Sequence, residues 1–427
     1  MEADSQVAQQ RPDPYVALRF PEFRSYIGMR FFFTFAYQMQ AVILGYHIYS
    51  ITKDPLSLGL IGLAEALPSI GISLYGGYVA DKTDKKKLLL WIFSGMFLCS
   101  FIIFLVTLKG MESYFPQSSV VPALYVMIFG IGIARGFYSP ASFSLMAQII
   151  PKEHYPNSST WNSSSWQAAT ILGPASGGLI YGFYGVSVTF FVILVFILIA
   201  LGFIFVFKSR PPIYIPKENI FTSLSQGIGF VFKNKMMLGA LSLDLFSVFF
   251  GGAVALLPVF ANDILKVGSE GLGLMRAAAS TGAILTMFVM ARFSPMGKPW
   301  RNLLIAVSGF GLSIICFGLS RNFYLSLLFL FCEGAFDSVS VVIRSTIMQL
   351  LTPDEMRGRV SAVNSMFIGS SNEIGAFESG LTARLMGTVP AVLFGGTMTL
   401  LIVTTTWLKT KRLLPLGLKE INAVQTG

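Results

Sequence analysis

At Gly77-Tyr78-Val79-Ala80-Asp81-Lys82-Thr83-Asp84-Lys85-Lys86-Lys87 the chain passes from an apolar run into a cluster of lysines. The apolar run, residues 57–80, is long enough to cross a hydrocarbon layer about 30 Å thick, which takes about 20 helical residues. Lysines that directly follow such a run are typical of the cytoplasmic side of a membrane. This stretch therefore predicts a membrane-spanning helix together with its orientation.

The rest of the chain has the same character. Of its 427 residues 54% are hydrophobic and only 12% are charged, and the mean hydropathy is +0.67, which is more apolar sequence than a soluble core can absorb. Apolar runs of spanning length recur from end to end, at approximately 26–51, 57–80, 87–108, 121–149, 160–183, 186–208, 236–262, 271–293, 302–320, 323–349, 362–386 and 389–408. We therefore predict an all-α membrane protein with twelve transmembrane helices.

The basic residues indicate how these helices are oriented. The net charge of +10 could suggest a nucleic-acid partner, but the lysines and arginines are concentrated on alternate loops, as the positive-inside rule describes. The loops on the other side hold only Lys53, Lys109, Lys266 and Arg321. We predict that both termini are cytoplasmic, that the lipid bilayer is the surrounding partner, and that no nucleic acid is bound.

A polar connection divides the chain into two halves of six spans. The predicted organisation is a cytoplasmic segment 1–25, a bundle 26–208, a cytoplasmic linker 209–235, a second bundle 236–408 and a cytoplasmic tail 409–427. An offset of 202 residues aligns Pro151 with Pro353, Glu153 with Glu355, Ser159 with Ser361, Asn162 with Asn364, Ser163 with Ser365, Gly173 with Gly375, Gly178 with Gly380, Leu179 with Leu381 and Gly185 with Gly387. Earlier in each half an offset of 214 aligns Leu58-Gly59-Leu60 with Leu272-Gly273-Leu274. We predict two homologous six-helix bundles around a central cavity.

Charged side chains occur inside the predicted spans, where they are costly unless they are paired or face water. They are Arg30, Arg135, Arg276, Arg344, Arg384, Glu65, Asp244, Glu333, Asp337, Glu373 and Glu378. The repeat places Arg30 opposite Asp244 and Arg135 opposite Asp337, and we expect each pair to face across the central cavity. Arg384 lies near the outer end of its span, where extension of the side chain toward water explains it.

Several of these residues are candidates for the lining of a binding cavity. Glu333, Asp337 and Arg344 are spaced four and seven residues apart, which places them along one face of a helix that can line water but not lipid. Glu65 is too deep in its span to reach water easily and is our first choice of protonatable group. The cavity and substrate candidates are Arg30, Gln38, Gln40, Arg276, Glu333, Arg344 and Asn372.

The stretch 77–87 resembles the signature loop of the major facilitator superfamily, in which a glycine, an aspartate and a basic residue recur at this spacing, here Gly77, Asp81 and Lys82. The resemblance implies a conformational gate, with Gly77 allowing close helix contact and Asp81 bonding a neighbouring arginine. Asp84 stands where the family usually has a glycine, as in the branch of enterobactin exporters and macrolide-efflux proteins. Further stretches that resemble this branch are Asp244-Leu245-Phe246, Gly251-Gly252, Leu256-Leu257-Pro258, Gly273-Leu274-Met275-Arg276-Ala277-Ala278 and Pro353-Asp354-Glu355-Met356-Arg357-Gly358-Arg359.

Two further motifs resemble those of proton-coupled members. Gly173-Pro174-Ala175-Ser176-Gly177-Gly178 is similar to the antiporter motif of drug exporters, in which Gly173, Pro174, Gly177 and Gly178 would serve helix packing, although Ala169 replaces the preceding glycine. Arg135 resembles the arginine of the fourth-helix motif, which is linked to proton coupling; a structural salt bridge is the alternative. The proton-coupling candidates are Glu65, Arg135, Asp244, Asp337 and Glu373.

The resemblance implies a secondary active transporter, not an enzyme. It would export a small amphipathic compound, a siderophore or a drug, in exchange for protons by alternating access, as a monomer in the bacterial cytoplasmic (inner) membrane. Two alternatives stay open: a lipid or lysophospholipid flippase of the same fold, and a transport-inactive membrane sensor. No cofactor or metal site is predicted, because Cys99, Cys316 and Cys332 fall within spans without ligand spacing and no GxxxxGK[ST] sequence occurs.

Overall fold

The computed structural model describes residues 15–108, 117–209, 220–353 and 356–417, which are helical almost throughout and contain no β-strand. The helices are α1 (Pro21–Thr52), α2 (Pro55–Lys82), α3 (Lys85–Val106), α4 (Gln117–Ile149), α5 and α6 (together Tyr155–Ile204), α7 (Ile220–Lys233), α8 (Lys235–Phe250), α9 (Gly268–Arg292), α10 (Pro299–Leu319), α11 (Phe323–Leu351), α12 (Arg357–Met386) and α13 (Thr388–Lys409). After α8 the chain continues through short helical segments at Gly252–Leu256, Leu257–Val259 and Phe260–Ile264.

A single residue, Gly185, separates α5 from α6. Its φ of 80° and ψ of 179° interrupt the helical run Tyr155–Ile204, in a backbone conformation that glycine adopts without the strain an L side chain would cause. Gly387 separates α12 from α13 in the same way, with a φ of 93° and a ψ of 154°. The 202-residue offset aligns these two glycines, so the halves share an unusual backbone conformation at the same place.

Within the part of the chain that the structure describes, twelve helices have the length to cross a membrane, as predicted. Ten segments of the described residues are both long and apolar enough, with α5 and α6 counted together and α8 extended to Ile264. The remaining helix is α12, which is 30 residues long but too polar to qualify by composition. It carries Asn372, Glu373, Glu378 and Arg384. The predicted all-α, twelve-helix fold class is therefore confirmed.

Helix α7 lies in the region 209–235 that we predicted to be the linker between the two bundles. It begins at Ile220 and packs against α12 and the start of α8, where Val231 joins a buried apolar cluster with Met237 and Val363. The part of the linker from 210 to 219 lies outside the described residues. An amphipathic helix is thus attached to the second half by its apolar side.

Two close helix contacts join the halves, α2 with α12 and α5 with α9. In the first, a Cβ placed on Gly380 would lie 3.0 Å from the Cα of Gly59, and in the second a Cβ on Gly178 would lie 2.8 Å from the Cα of Gly273. Small residues are what allow helix backbones to approach this closely. The offsets align Gly59 with Gly273 and Gly178 with Gly380, so the two contacts are equivalent, as homologous bundles require.

Both contacts lie toward the far end, which we define as the end with the connections at 53–54, 185, 265–267, 320–322 and 387; the termini end is opposite. Polar contacts also close the far end. The Tyr49 hydroxyl donates to Asp263, Lys53 Nζ lies 3.8 Å from Asp263 Oδ1, and Arg384 Nη1 lies 3.3 Å from Asp54 Oδ2. Arg384 is more than half exposed, but it also forms this ion pair with the other half. Extension toward water alone does not explain the ion pair.

Toward the termini end, α5 and α9 diverge. Between them and Arg30 of α1 lies a cavity of about 1080 Å³, lined by Ser163 and Gln167 of α5 and by Met287 of α9 among other side chains. The molecule is therefore closed at the far end and open between α5 and α9 at the termini end.

Candidate functional site

A partly buried group of charges bridges the two halves. Arg135 on α4 donates from Nη1 to Glu65 Oε1 on α2 at 2.7 Å and to Glu373 Oε1 on α12 at 3.0 Å. The Tyr37 hydroxyl on α1 donates to the same Glu65 oxygen at 2.5 Å, and the Arg135 guanidinium lies 5.3 Å from the centre of the Tyr37 ring. We call Glu65, Arg135 and Glu373 the inter-bundle triad. It contains three of the five predicted proton-coupling residues.

Glycines on two helices bring the triad together. A Cβ on Gly132 of α4 would lie 2.4 Å from the Glu65 carbonyl oxygen, and one on Gly136 would lie 2.9 Å from the Ser69 carbonyl oxygen. These positions let α4 lie directly on α2, so that Arg135 reaches Glu65. Gly62 of α2 plays the same part toward α12, because a Cβ there would lie 3.3 Å from the Glu373 carbonyl oxygen. Helix packing therefore fixes all three members of the triad.

The charge of the triad determines its chemistry. Two carboxylates share one guanidinium, which leaves one excess negative charge, and Glu65 is only 8% exposed. Burial and a second carboxylate favour the protonated form of an acid, whereas a nearby cation favours the ionised form. Because Glu373 belongs to the other half, its distance from Arg135 depends on how the halves are arranged.

A second ion pair lies within the second half. Arg344 of α11 and Asp244 of α8 form a direct ion pair, and each side chain is only 8% exposed. Arg344 Nε also donates to the Ser340 carbonyl oxygen at 3.3 Å. This pair ties α8 to α11, and the charge of Asp244 is balanced inside its own bundle.

Neither Asp244 nor Arg135 forms an ion pair with the residue that the repeat places opposite it. Asp244 meets Arg344 rather than Arg30, and the inter-bundle partner of Arg135 is Glu373 rather than Asp337. The repeat offset identifies equivalent positions but not contacting ones. In this conformation the halves approach through α2 and α12, so the nearest charge in the other half is the one on α12.

Four other predicted residues line one polar cavity. Arg276, Glu333, Asp337 and Asn372 border a space of about 360 Å³ beside the break after α8. Arg276 Nη2 donates to the Val254 carbonyl oxygen at 3.1 Å, and its Nε is buried without a hydrogen-bond partner. Glu333 and Asp337 thus border the same cavity, whereas Arg344, further along α11, pairs with Asp244 instead.

The two glutamines of α1 lie away from these cavities. Gln40 is 2% exposed and accepts a hydrogen bond from Ser100 Oγ of α3 at 2.8 Å, so it faces the core of the first half rather than the space between halves. Gln38 lies on the side of α1 that packs on α5, where its Cβ would lie 3.1 Å from a Cβ placed on Gly173. Gln38 at the helix contact and Gln40 in the core are only two residues apart, and composition alone does not show which face of α1 each occupies.

The loop motif serves helix capping and tethering. Asp84 caps α3 by accepting from the Lys87 backbone amide at 3.1 Å, and Lys86 Nζ donates to the carbonyl oxygens of Phe205 and Phe207 at 3.0 and 2.7 Å. Lys82 donates to the Tyr78 hydroxyl. The side chain of Asp81 lies outside what the structure describes, so its predicted bond to an arginine stays a prediction.

The close helix contact that we expected at Gly77 is made by its neighbour. A Cβ on Gly76 would lie 2.7 Å from the Gly136 carbonyl oxygen of α4, whereas one on Gly77 would meet nothing within 4 Å. Gly76 points into its own bundle and Gly77 points away from it. The expectation for Gly77 is therefore wrong for this conformation.

The four residues of the antiporter-like motif pack α5 on two sides. A Cβ on Gly173 would lie 2.8 Å from the Phe35 carbonyl oxygen of α1, and one on Gly177 would lie 2.8 Å from Met39 Cγ. Gly178 and the Pro174 carbonyl oxygen face Gly273 of α9 instead. The motif thus places α5 between its own bundle and the other half, while its part in antiport stays a prediction.

The sequence reasoning missed the polar contacts of the far end. Besides the Tyr49–Asp263 bond, the Tyr46 hydroxyl donates to Asn262 Oδ1 at 3.4 Å. Tyr49 and Asp263 are 214 residues apart, which is the offset that aligns the early parts of the two halves. A residue that contacts the equivalent residue of the other half lies on the axis that relates the halves. The 214-residue offset was therefore the feature of the sequence that could have indicated this contact.

Two equivalent six-helix halves, closed at one end and joined by partly buried charges, have the architecture of a membrane transporter that alternates access between two sides. The sequence model of the Major Facilitator Superfamily matches residues 27–376. The chain belongs to this family and is a multi-pass membrane transporter of small molecules rather than an enzyme.

Known relatives agree with this assignment. The enterobactin exporter of Shigella flexneri is 22% identical over 381 residues, which cover 88% of each chain. Among solved structures, a D-xylose–proton symporter superposes with a TM-score of 0.71 at 14% identity, covering 91% of this chain and 97% of the symporter. An inward-facing, unoccupied bacterial homologue of the human lysosomal transporter Spinster has a TM-score of 0.67 at 14% identity, covering 92% and 96%. The structural likenesses show a shared fold.

Proposed function

We propose that the protein exports a small amphipathic compound, a siderophore or a drug, in exchange for protons by alternating access. The observation that carries this proposal is the inter-bundle triad, in which Arg135 of one half holds a carboxylate of each half at 2.7 and 3.0 Å. A group of this kind responds both to protonation and to the arrangement of the halves. The relatives that export enterobactin support the direction of transport.

The orientation follows from the basic loops. With both termini on the cytoplasmic side of a bacterial inner membrane, the termini end faces the cytoplasm and the far end faces outward. The conformation described above is then the one that loads substrate from the cytoplasm.

Glu373 is the proton carrier in the proposed cycle. When the far end opens, Glu373 moves with α12 away from Arg135 and takes up a proton from outside. When the far end closes, Glu373 meets the Arg135 guanidinium again beside Tyr37 and Glu65, and the guanidinium favours loss of that proton toward the cytoplasm. Substrate bound from the cytoplasm then drives the opposite movement.

We expect export to depend on the proton gradient and on the embedded acids. In inside-out vesicles, uptake of an exported compound should collapse when an uncoupler is added. Glu373→Gln alone should abolish uphill transport but retain downhill exchange of substrate, because the substrate path is intact while the carrier is lost. Unchanged gradient-driven transport after Glu65, Asp244, Asp337 and Glu373 are all neutralised would contradict the coupling scheme.

A second candidate is transport of a lysophospholipid, and one observation favours it. Trp166, Leu172 and Phe288 beside the α5–α9 cavity are 43%, 50% and 72% exposed, which gives the opening an apolar flank. Flux of lysophospholipid that is insensitive to the pH gradient would support this candidate over the first.

Alternating access requires the termini end to close, and a bulky substitution at Gly77 tests whether it does. Gly77 follows Gly59 by 18 residues, about five turns of 3.6 residues, so both lie on the α2 face that meets α12, yet at Gly77 that face meets open space. We expect Gly77→Leu to leave the present conformation intact and to obstruct closure. Overpacking of about 1–3 kcal/mol in the closed form would lower its population roughly 5- to 150-fold, and the transport rate should fall accordingly.

Gly95→Leu is the matched control, since a Cβ on Gly95 of α3 also meets nothing within 4 Å. Its transport rate should equal that of the native chain. Equal rates for Gly77→Leu and Gly95→Leu would show that the face at Gly77 does not close.

A further inference from the structure

We propose that Arg30 and a row of polar side chains on α5 bind the negatively charged group of the transported compound, which is therefore an amphipathic organic anion. This inference rests on the proposed function, because it names the chemical class of the substrate. Its basis is the cavity of about 1080 Å³ between α5 and α9, a volume that suits a drug-sized ligand.

The cavity has one polar wall and one apolar wall. Ser159, Ser163 and Gln167 are four residues apart on α5 and so lie along one face of the helix, with Arg30 on the same cavity. The wall on α9 is formed by Ile284, Met287 and Phe288. A ligand that fills the space would place a polar group against α1 and α5 and an apolar body against α9.

Arg30 differs from the other embedded arginines in its partners. Arg135, Arg344 and Arg384 each form an ion pair with a carboxylate. Arg276 donates to a backbone carbonyl oxygen and shares its cavity with Glu333. Arg30, by contrast, has no carboxylate within 4.0 Å among the described residues.

The surroundings of Arg30 leave its charge available to a ligand. Its Nε is buried without a hydrogen-bond partner, and the group beside its guanidinium is the neutral phenol of Tyr138. An embedded cation without a counter-charge is costly, and a guanidinium makes its strongest hydrogen bonds with carboxylate, sulfonate or phosphate oxygens. A bound anion would supply the missing charge to the guanidinium, while the serine hydroxyls would donate to its oxygens.

The binding test uses two fluorescent probes that share one skeleton. 8-Anilinonaphthalene-1-sulfonate carries a sulfonate, and N-phenyl-1-naphthylamine is the same ring system without it. With the protein in nanodiscs of zwitterionic lipid and empty nanodiscs subtracted, we expect the native chain to bind the sulfonate more tightly. Arg30→Gln should weaken sulfonate binding about 10-fold or more, as expected for a charged hydrogen bond, and leave the neutral probe unchanged. Arg30→Lys should recover part of the loss.

Two further variants separate a binding effect from misfolding. Ser163→Val, on the polar wall, should weaken sulfonate binding in a chain that keeps Arg30. Arg321→Gln, whose side chain binds only carbonyl oxygens of its own far-end loop in the structure described, should bind both probes as the native chain does. Equal affinity of native chain and Arg30→Gln for the sulfonate, or no saturable sulfonate binding by the native chain, would overturn the proposal.

Flux measurements keep this inference distinct from the proposed function. In proteoliposomes with an imposed pH gradient, selective flux of neutral or cationic probes would overturn the anion proposal and leave proton-coupled export standing. Arg30-dependent sulfonate binding without gradient-driven flux would support the anion proposal and contradict proton-coupled export. Competition by lysophosphatidylglycerol, but not by soluble aromatic sulfonates, would identify a lipid headgroup as the source of the anion.

Discussion

Arg135→Met should abolish gradient-driven transport and destabilise the closed far end. The substitution leaves Glu65 and Glu373 facing each other without the guanidinium that now lies 2.7 and 3.0 Å from them. Breaking a fully buried ion pair costs roughly 3–5 kcal/mol. Arg135 is 39% exposed, so we expect a smaller loss of about 2 kcal/mol after screening by solvent. The measurements are transport under a pH gradient and the thermal unfolding midpoint in detergent.

Neutralising Glu65 and Glu373, which lose their partner in Arg135→Met, separates the effect on proton coupling from the effect on stability. Arg135→Met combined with Glu65→Gln and Glu373→Gln carries no charge at the triad, and we expect it to regain most of the lost stability while remaining uncoupled. This non-additivity is the signature of groups that interact directly. Gradient-driven transport at the native rate in Arg135→Met would rule out the triad as the coupling site and favour the alternative of a purely structural salt bridge.

Gly178→Val should shift the protein away from the closed far end. A Cβ at Gly178 would lie 2.5 Å from the Ser269 carbonyl oxygen and 2.8 Å from the Gly273 Cα. Both obstacles are backbone atoms, so α9 must move as a whole. Overpacking typically costs about 1–3 kcal/mol, enough for a roughly 5- to 150-fold change in the ratio of the two conformations. We expect a large loss of transport at unchanged expression.

The conformational shift can be measured directly at the far end. Spin labels at Ile51 and Arg321, both exposed, should move apart in Gly178→Val, in a background with the three native cysteines replaced by serine. Gly380→Val, at the equivalent position in the other half, should give the same change. Gly202→Val is the control, because a Cβ there meets nothing within 4 Å. A distance unchanged by both equivalent substitutions would contradict closure through these two contacts.

The sequence predicted the fold well because hydropathy and an internal repeat both report on it. The alignment of Gly185 with Gly387 anticipated two matching breaks between helices, and the structure gives both glycines a positive φ. The spans were correctly placed even for α12, whose polar side chains remove it from a purely apolar count.

The sequence indicated which residues are candidates for the site but not which of them contact one another. Glu65, Arg135 and Glu373 were all expected to couple protons, yet the sequence did not indicate that they meet. Such contacts depend on which helices approach at the closed end, and therefore on conformation as well as on fold. Gln40 illustrates a second limit, because a rotation of about 100° per residue separates a cavity face from a core face on α1.

The one-residue connections at Gly185 and Gly387 leave no slack between neighbouring helices. In the proposed cycle, when α5 tilts to open the far end, α6 tilts with it, and α13 follows α12 in the same way. The moving parts are then helical hairpins whose second members have broad apolar surfaces, with Phe191 and Leu198 of α6 57% and 50% exposed. Lipid must rearrange around these surfaces during every cycle. Turnover should therefore depend on bilayer thickness and acyl-chain order as well as on the proton gradient.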